Sequence, residues 1–167
     1  IKTLTATSIA SLGLTRGLLN SPVFAQYENL PDAAINIKNW NPVKRLEPVK
    51  ADGLAINAAV STVDVGNGVQ GTAWLLNNSL PSPFIRVRKG DNFKVKLENQ
   101  LPDQLILHWH GLTPPELMDG HPRLAIIKGS SYDYEFTVEN RASTYWYHSH
   151  SHHKVGKHAY FGIAGML

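Results

Sequence analysis

The stretch FKVKLE, Phe93 to Glu98, alternates one apolar residue with one charged residue. A second stretch, YDYEFTV from Tyr132 to Val138, repeats the device, with Tyr132, Tyr134, Phe136 and Val138 set against Asp133, Glu135 and Thr137. Side chains of an extended chain point alternately to opposite faces, so a period of two predicts a strand with one face buried and the other in water. Outward from these runs the chain is punctuated by turn formers: Gly66-Asn67-Gly68, Pro81-Ser82-Pro83, Lys89-Gly90-Asp91, Asp119-Gly120 and Lys128-Gly129-Ser130. No long amphipathic helix pattern lies between them. Short strands and turns at this spacing predict an all-β chain, an antiparallel β-sandwich or barrel.

Composition narrows the chemistry. A hydrophobic content of 43% in 167 residues suffices for one ordinary core. The 16 basic and 13 acidic residues form no basic run dense enough for a phosphate backbone, which argues against nucleic acid as a partner. With no cysteine, the chain excludes disulfides, thiolate catalysis, Cys-based zinc sites and iron–sulfur clusters. Any metal must therefore be held by His, carboxylate or carbonyl groups. No apolar run reaches the roughly 18–20 residues that span a bilayer as a helix.

Residues 1–25 read as a signal peptide: a lysine near the start, a moderately apolar middle interrupted by Arg16, and small residues at Val23-Phe24-Ala25. Export is the implication, and a frayed helical or disordered terminus is the alternative. Residues 26–54 carry Pro31, Pro42 and Pro48 among scattered charges without a stable period, which predicts an arm laid over a domain surface. The strand patterns then occupy residues 55–167.

Histidines concentrate in two places. In LILHWHG, His108 and His110 flank Trp109, and strand alternation sends both imidazoles to one face and the indole to the other. In STYWYHSH, the same rule groups Thr144, Trp146, His148 and His150 against Tyr145, Tyr147 and Ser149. Two such strands side by side would offer four nitrogen ligands. One HxH alone is as readily explained by partly buried histidines that each keep one hydrogen bond. Two of them, both in aromatic strand sequence, point to a metal. Neutral imidazoles without thiolate suit copper or zinc, and copper stands highest in the divalent affinity order.

These residues also carry a resemblance. HWHGL, then MDGHP, a Gly-Ser turn, YDYEFTVENRASTYWYHSH and AYFGIAGML, preceded by NNSLPSPFIRVRKGDNFKVKLENQL, resemble the N-terminal cupredoxin domain of the laccase-like multicopper oxidases. The resemblance covers about residues 55–167 and implies a cupredoxin-like Greek-key β-sandwich. It assigns His108 to a type 2 copper and His110, His148 and His150 to a type 3 pair, together half of the ligands of a trinuclear cluster that reduces dioxygen to water. Asp119 falls where the family places an acid that relays protons to the cluster, although an Asp-Gly turn is an equally ordinary reading of the same residue. His152 is implied to be a hydrogen-bonded neighbour of the ligands.

Some positions depart from the family pattern. Asn78 and Ser82 stand where glycines are usual, Ser143 replaces the glycine of Ala-Gly-Thr, and Ile127-Lys128 replaces a Pro-rich turn. His153 also replaces a glycine, and His121 and His158 are additional; all three are expected to be solvated surface residues, with a second, adventitious metal site as the alternative. Trp109, Tyr145, Trp146 and Tyr147 are expected to wall the ligands, with at least two of them serving the core instead.

What the resemblance requires and the sequence lacks shapes the functional expectation. The family oxidises its substrate at a type 1 copper held by one Cys and two His, and this chain has no Cys. Four further cluster histidines come from another cupredoxin domain, and the sequence stops at Leu167 inside what would be the first domain's last strand. The expectation is a fragment or truncated product of an exported, periplasmic or secreted oxidase of phenols, aromatic amines or metal ions, inactive by itself. Alternatives are a non-catalytic copper carrier, a His-rich zinc hydrolase with an open water position, and a metal-free interaction domain.

Overall fold

The computed structural model describes residues 46–167; the signal-peptide reading and nearly all of the arm lie outside them. The elements in order are β1 (Leu54–Asp64), β2 (Gln70–Leu76), β3 (Asn92–Asn99), β4 (Leu107–His110), two single 3-10 turns (Glu116–Met118 and Pro122–Leu124), β5 (Ser131–Thr137), β6 (Trp146–Ser149), α1 (Val155–Phe161) and β7 (Ala164–Met166). The strands form two sheets, one in the order β2-β1-β3-β5 and one in the order β4-β6-β7. The all-β expectation is met.

The two alternating stretches prove to be partners. β3 and β5 pair antiparallel with Phe93 opposite Phe136, Val95 opposite Tyr134 and Leu97 opposite Tyr132. Apolar residues thus meet across the strands on one face, and lysines meet carboxylates on the other, as in Lys94 with Glu135. Cross-strand pairing of like faces is what holds the register.

One expectation needs correction, because the sandwich is not wholly antiparallel. β1 makes an antiparallel hairpin with β2 but lies parallel to β3, with Leu54 opposite Val95 and Ile56 opposite Leu97. The chain leaves β2 at the sheet edge and returns on the other side of β1, so β3 arrives running in β1's direction. Alternation reports which face a residue occupies and carries no sign of the neighbour's direction. The β1–β2 hairpin turns through three consecutive left-handed residues, Gly66, Asn67 and Gly68. Asp64 Oδ1 accepts from Gly66 N at 2.7 Å. Asn78 also adopts φ 52°, so an asparagine occupies the left-handed angle that a glycine would supply. Ser82, the other replacement in that region, is buried and donates to Gly162 O at 3.2 Å.

The core lies between the sheets and is dominated by aromatic residues. Trp109 packs edge-on against Phe93 at 4.6 Å and Tyr134 at 4.9 Å, and Tyr147 lies 5.6 Å away. All four are fully buried. Tyr134 contributes more than apolar area. Its hydroxyl donates to Leu107 O at 3.0 Å and accepts from Leu107 N at 2.9 Å, tying a strand of the first sheet to the residue just before His108 in the second. Burial drives the Tyr134 phenol far above its ordinary value, so it stays protonated and able to donate.

Replacing Tyr134 by Phe keeps the ring and strands the Leu107 amide in a dry core. Leaving such a donor unpaired costs about 1–3 kcal/mol. We expect the Tyr134→Phe chain to fold with a melting temperature several degrees lower, read by circular dichroism.

Candidate metal centre

The two histidine pairs meet because β4 and β6 lie side by side. Their antiparallel register puts His108 directly opposite His148 and His110 opposite Trp146. His150 lies one residue past the end of β6 and donates its amide to Ile106 O at 2.9 Å. The four imidazoles therefore form a staggered row on one sheet face, with His110 at one end and His150 at the other. Trp109, Tyr147 and Ser149 point the opposite way, into the interior. The 480 Å³ cleft lined by Arg86, Tyr145 and Leu167 contains none of these histidines. The row sits instead on the surface of the sheet.

Three of the four rings converge on one point. One nitrogen each from His108, His110 and His148 lie within 4.8 Å of one another. His150 stands at the margin, its ring 5.1 Å from that of His108 and 6.2 Å from that of His148. Nitrogens bound at about 2.0–2.1 Å to one first-row ion are at most about 4.2 Å apart. The triad can thus close on an ion by small side-chain shifts, with His150 outside it.

Hydrogen bonds preset which nitrogen of each ring is free. His108 Nδ1 lies 2.8 Å from Asp119 O, His148 Nδ1 2.8 Å from Ser149 O, and His150 Nδ1 3.1 Å from Gly120 O. A carbonyl only accepts, so Nδ1 carries the proton in each ring and Nε2 keeps its lone pair for a metal. His110 Nδ1 is 3.3 Å from His148 Nε2. The proton between them is the one a cation would displace. An all-imidazole donor set of this kind fits copper or zinc, and copper binds it more tightly.

Two of those carbonyls belong to consecutive residues, Asp119 and Gly120, in the loop that follows the first 3-10 turn. Tyr132 donates its hydroxyl to Leu117 O at 2.5 Å, and Arg123 pairs with Glu116, so the loop is fixed at both ends. It also lies hard against β4: a Cβ on Gly120, whose φ is 75°, would sit 2.0 Å from Leu107 O. Only glycine allows that approach. Asp119 places Oδ1 3.1 Å from His108 Nδ1. That ring's single proton points to the backbone carbonyl, so the buried Oδ1 has no hydrogen-bond partner among the described residues.

Burial and aromatic cover set the electrostatics. His148 is buried under Trp146, whose ring stacks on it at 4.2 Å and on His110 at 4.9 Å. Desolvation lowers the His148 pKa, the bond to Ser149 O partly opposes this, and the three neighbouring histidines lower it further. The ring therefore stays neutral, the form that ligates.

With the site's geometry in view, comparison with known proteins is decisive. Residues 57–167 match the multicopper oxidase family. The chain belongs to the multicopper oxidases. It is 37% identical over 91 residues to a multicopper oxidase of Staphylococcus aureus, which covers 54% of this chain and 20% of that protein. Against a copper resistance protein A homolog of Pseudomonas syringae pv. tomato it is 34% identical over 155 residues, covering 90% of this chain and 23% of that one. Among solved structures, a laccase-like multicopper oxidase from Ochrobactrum sp. superposes with a TM-score of 0.68 at 28% identity, over 73% of this chain and 28% of its own. The chain thus spans 20–28% of the length of these relatives.

The remaining histidines of this multicopper oxidase domain divide. His121 is exposed and caps the second 3-10 turn by accepting from Arg123 N at 3.2 Å. His153 is exposed at φ 58°, a left-handed angle at a position where the family pattern has glycine. His152 is also exposed, its ring 4.3 Å from that of His153. His158 corrects the expectation outright, since it is not a surface residue but fully buried, bonded to Ser149 and Asp103. A single histidine two residues after a glycine, in a short segment with no clear period, gives no sequence signal for burial; helix α1 turns it inward.

Two outcomes are expected. Gly120→Ala should destabilise the chain by more than about 1 kcal/mol, since alanine is both strained at this φ and in collision with β4; denaturant unfolding reads the loss. Stability should also depend on pH. Burial holds His148 and His158 below the ordinary 6.5, so the unfolded chain binds more protons between that value and the folded one. The stabilisation is complete above the ordinary value and is lost as pH falls through the folded values. A urea midpoint that falls as the pH is lowered below the ordinary histidine value of 6.5 is the expected reading.

Proposed function

We propose that residues 55–167 form the N-terminal cupredoxin domain of a laccase-like multicopper oxidase and supply half the ligands of its trinuclear copper cluster. The observation that carries this reading is the His108–His110–His148 triad, with His150 beside it and Nδ1 protons already committed to carbonyls in three of the four rings. In this reading His108 holds the type 2 copper, and His110, His148 and His150 hold the type 3 pair. Copper so bound would supply the one-electron steps by which dioxygen is reduced to water while phenols, aromatic amines or metal ions are oxidised.

The protein's own groups do the rest. Asp119 and Gly120 orient His108 and His150 through their carbonyls, and Trp146 stacks on His110 and covers the buried ring of His148. The partnerless Asp119 Oδ1, within reach of His108, is a group able to hold a proton beside the site and pass it on. The reading requires the other four histidines and a Cys-containing electron entry site from further domains, so the chain alone is expected to bind copper without turnover. A leader over residues 1–25 and a periplasmic or secreted location complete it.

A second reading, a copper carrier without catalysis, draws on the exposure of His110 at the end of the row, which leaves one side of the triad open for exchange. Both readings require copper. Titration of the chain with Cu(II), followed by electron paramagnetic resonance, should show nitrogen-coordinated copper. His148→Ala should weaken that binding at least about 10-fold, and preference for zinc over copper would overturn both readings. Oxidation of a diphenol by a longer chain that includes this segment, lost in its His148→Ala form, separates oxidase from carrier.

A further inference from the structure

Behind the histidine row, on the face of β6 turned away from the metal centre, runs a buried polar chain that the proposed cluster does not use. His158 of α1 places Nδ1 2.6 Å from Ser149 Oγ and Nε2 3.4 Å from Asp103 Oδ2. A carboxylate can only accept, so Nε2 carries the proton and Nδ1 accepts from the Ser149 hydroxyl. Ser149 Oγ in turn lies 3.4 Å from both the amide and the hydroxyl of Ser151. Ser151 Oγ accepts from Ile106 N at 3.3 Å. Ser149, Ser151 and His158 are all buried.

The chain of bonds has one direction and two anchored ends. At the outer end Asp103 is held by Lys157 at 2.7 Å and Lys154 at 3.8 Å, and its carboxyl pKa is lowered, chiefly by the Lys157 bond. Its backbone carbonyl accepts from Asn99 Nδ2 at 2.9 Å. At the inner end the chain reaches Ile106, which lies two residues before His108 and whose own carbonyl oxygen accepts from the His150 amide. Ser149 lies between His148 and His150 in sequence. One set of bonds therefore grips both HxH segments from behind.

We propose that His158, Ser149 and Asp103 are positioning residues, a clamp that fixes the spacing of His150 against His108 and so the geometry in which the centre accepts a metal. The triad of residue types is the one used for nucleophilic catalysis, but Ser149 is sealed in the core and no substrate reaches it. Its hydroxyl serves geometry. A buried polar network is worth keeping only when fully paired, and pairing then makes one arrangement much more favourable than its neighbours. The metal-geometry part of the inference rests on the copper-site reading above; the clamp on the strands does not.

The test uses the whole chain, with Ser149→Ala, His158→Leu and His158→Gln. Glutamine can accept from Ser149 through its carbonyl and donate to Asp103 through its amide, so it can rebuild the chain of bonds. Two readouts are taken: hydrogen exchange at the His150 amide without metal, and Cu(II) affinity with its paramagnetic resonance hyperfine pattern. Ser149→Ala and His158→Leu should speed exchange at His150 at least about tenfold while the β3 amides stay unchanged. Both should weaken Cu(II) binding by about 10-fold with an altered hyperfine pattern, and His158→Gln should return both readouts toward the original.

Lower melting temperatures with unchanged His150 exchange and unchanged copper signals would overturn the proposal and leave the network a simple anchor for α1. Should His158→Leu fail to fold, Ser149→Ala, which removes one oxygen, decides alone. Failure of the unsubstituted chain to take up Cu(II) would sink the copper-site reading, and the exchange result would still decide the clamp.

Discussion

The pairing of β4 with β6, with His108 opposite His148, is the contact on which the rest depends. Side chains change face with every residue of a strand, so a slip of one position in either strand would turn its histidines into the core and bring Trp109 or Tyr147 out to water. The cost of exposing those two rings, together with the cost of burying imidazoles among Phe93 and Tyr134, fixes the register more firmly than the few hydrogen bonds of two four-residue strands. The candidate site is thus held in place by the aromatic core on the other side of the same sheet.

Close grouping of imidazoles would be unfavourable if they were charged. Here it is tolerated because burial keeps His148 neutral and because backbone carbonyls, which repel no proton donor, satisfy Nδ1 of three rings. The consequence is that Nε2 keeps its lone pair free in His108, His148 and His150. Carbonyls of Asp119 and Gly120 achieve this from a loop, and a loop is precise only when fixed; its contacts to Tyr132 and β4 supply that rigidity. The sequence motif and the loop eleven residues downstream of His108 therefore function as one unit.

Much of this was readable in advance, for definite reasons. Strand identity followed from alternation in β3 and β5, where the charged residues are so regular that no other period fits. The four histidines followed from their i, i+2 spacing and from the resemblance that the family match bears out at the level of the fold and family. The parallel pairing of β1 with β3 did not, since partner direction leaves no local trace. His158 was misplaced as a surface residue because its helix is short, seven residues, and because its partners Ser149 and Asp103 lie nine and 55 residues away.

By itself, the sequence determined which atoms are available: imidazole nitrogens without thiolate, in pairs that share a strand face, and a glycine at position 120, where the loop lies against a backbone. Those are properties of residue type and local spacing, which a linear chain carries in full. Only the tertiary structure decided how the pairs are staggered, which ring stands apart from the triad, that Tyr134 and His158 support the ligand strands from behind, and that Asp119 Oδ1 is left without a partner. Each of these depends on distances between segments far apart in the chain, and such distances are set by packing the two sheets together.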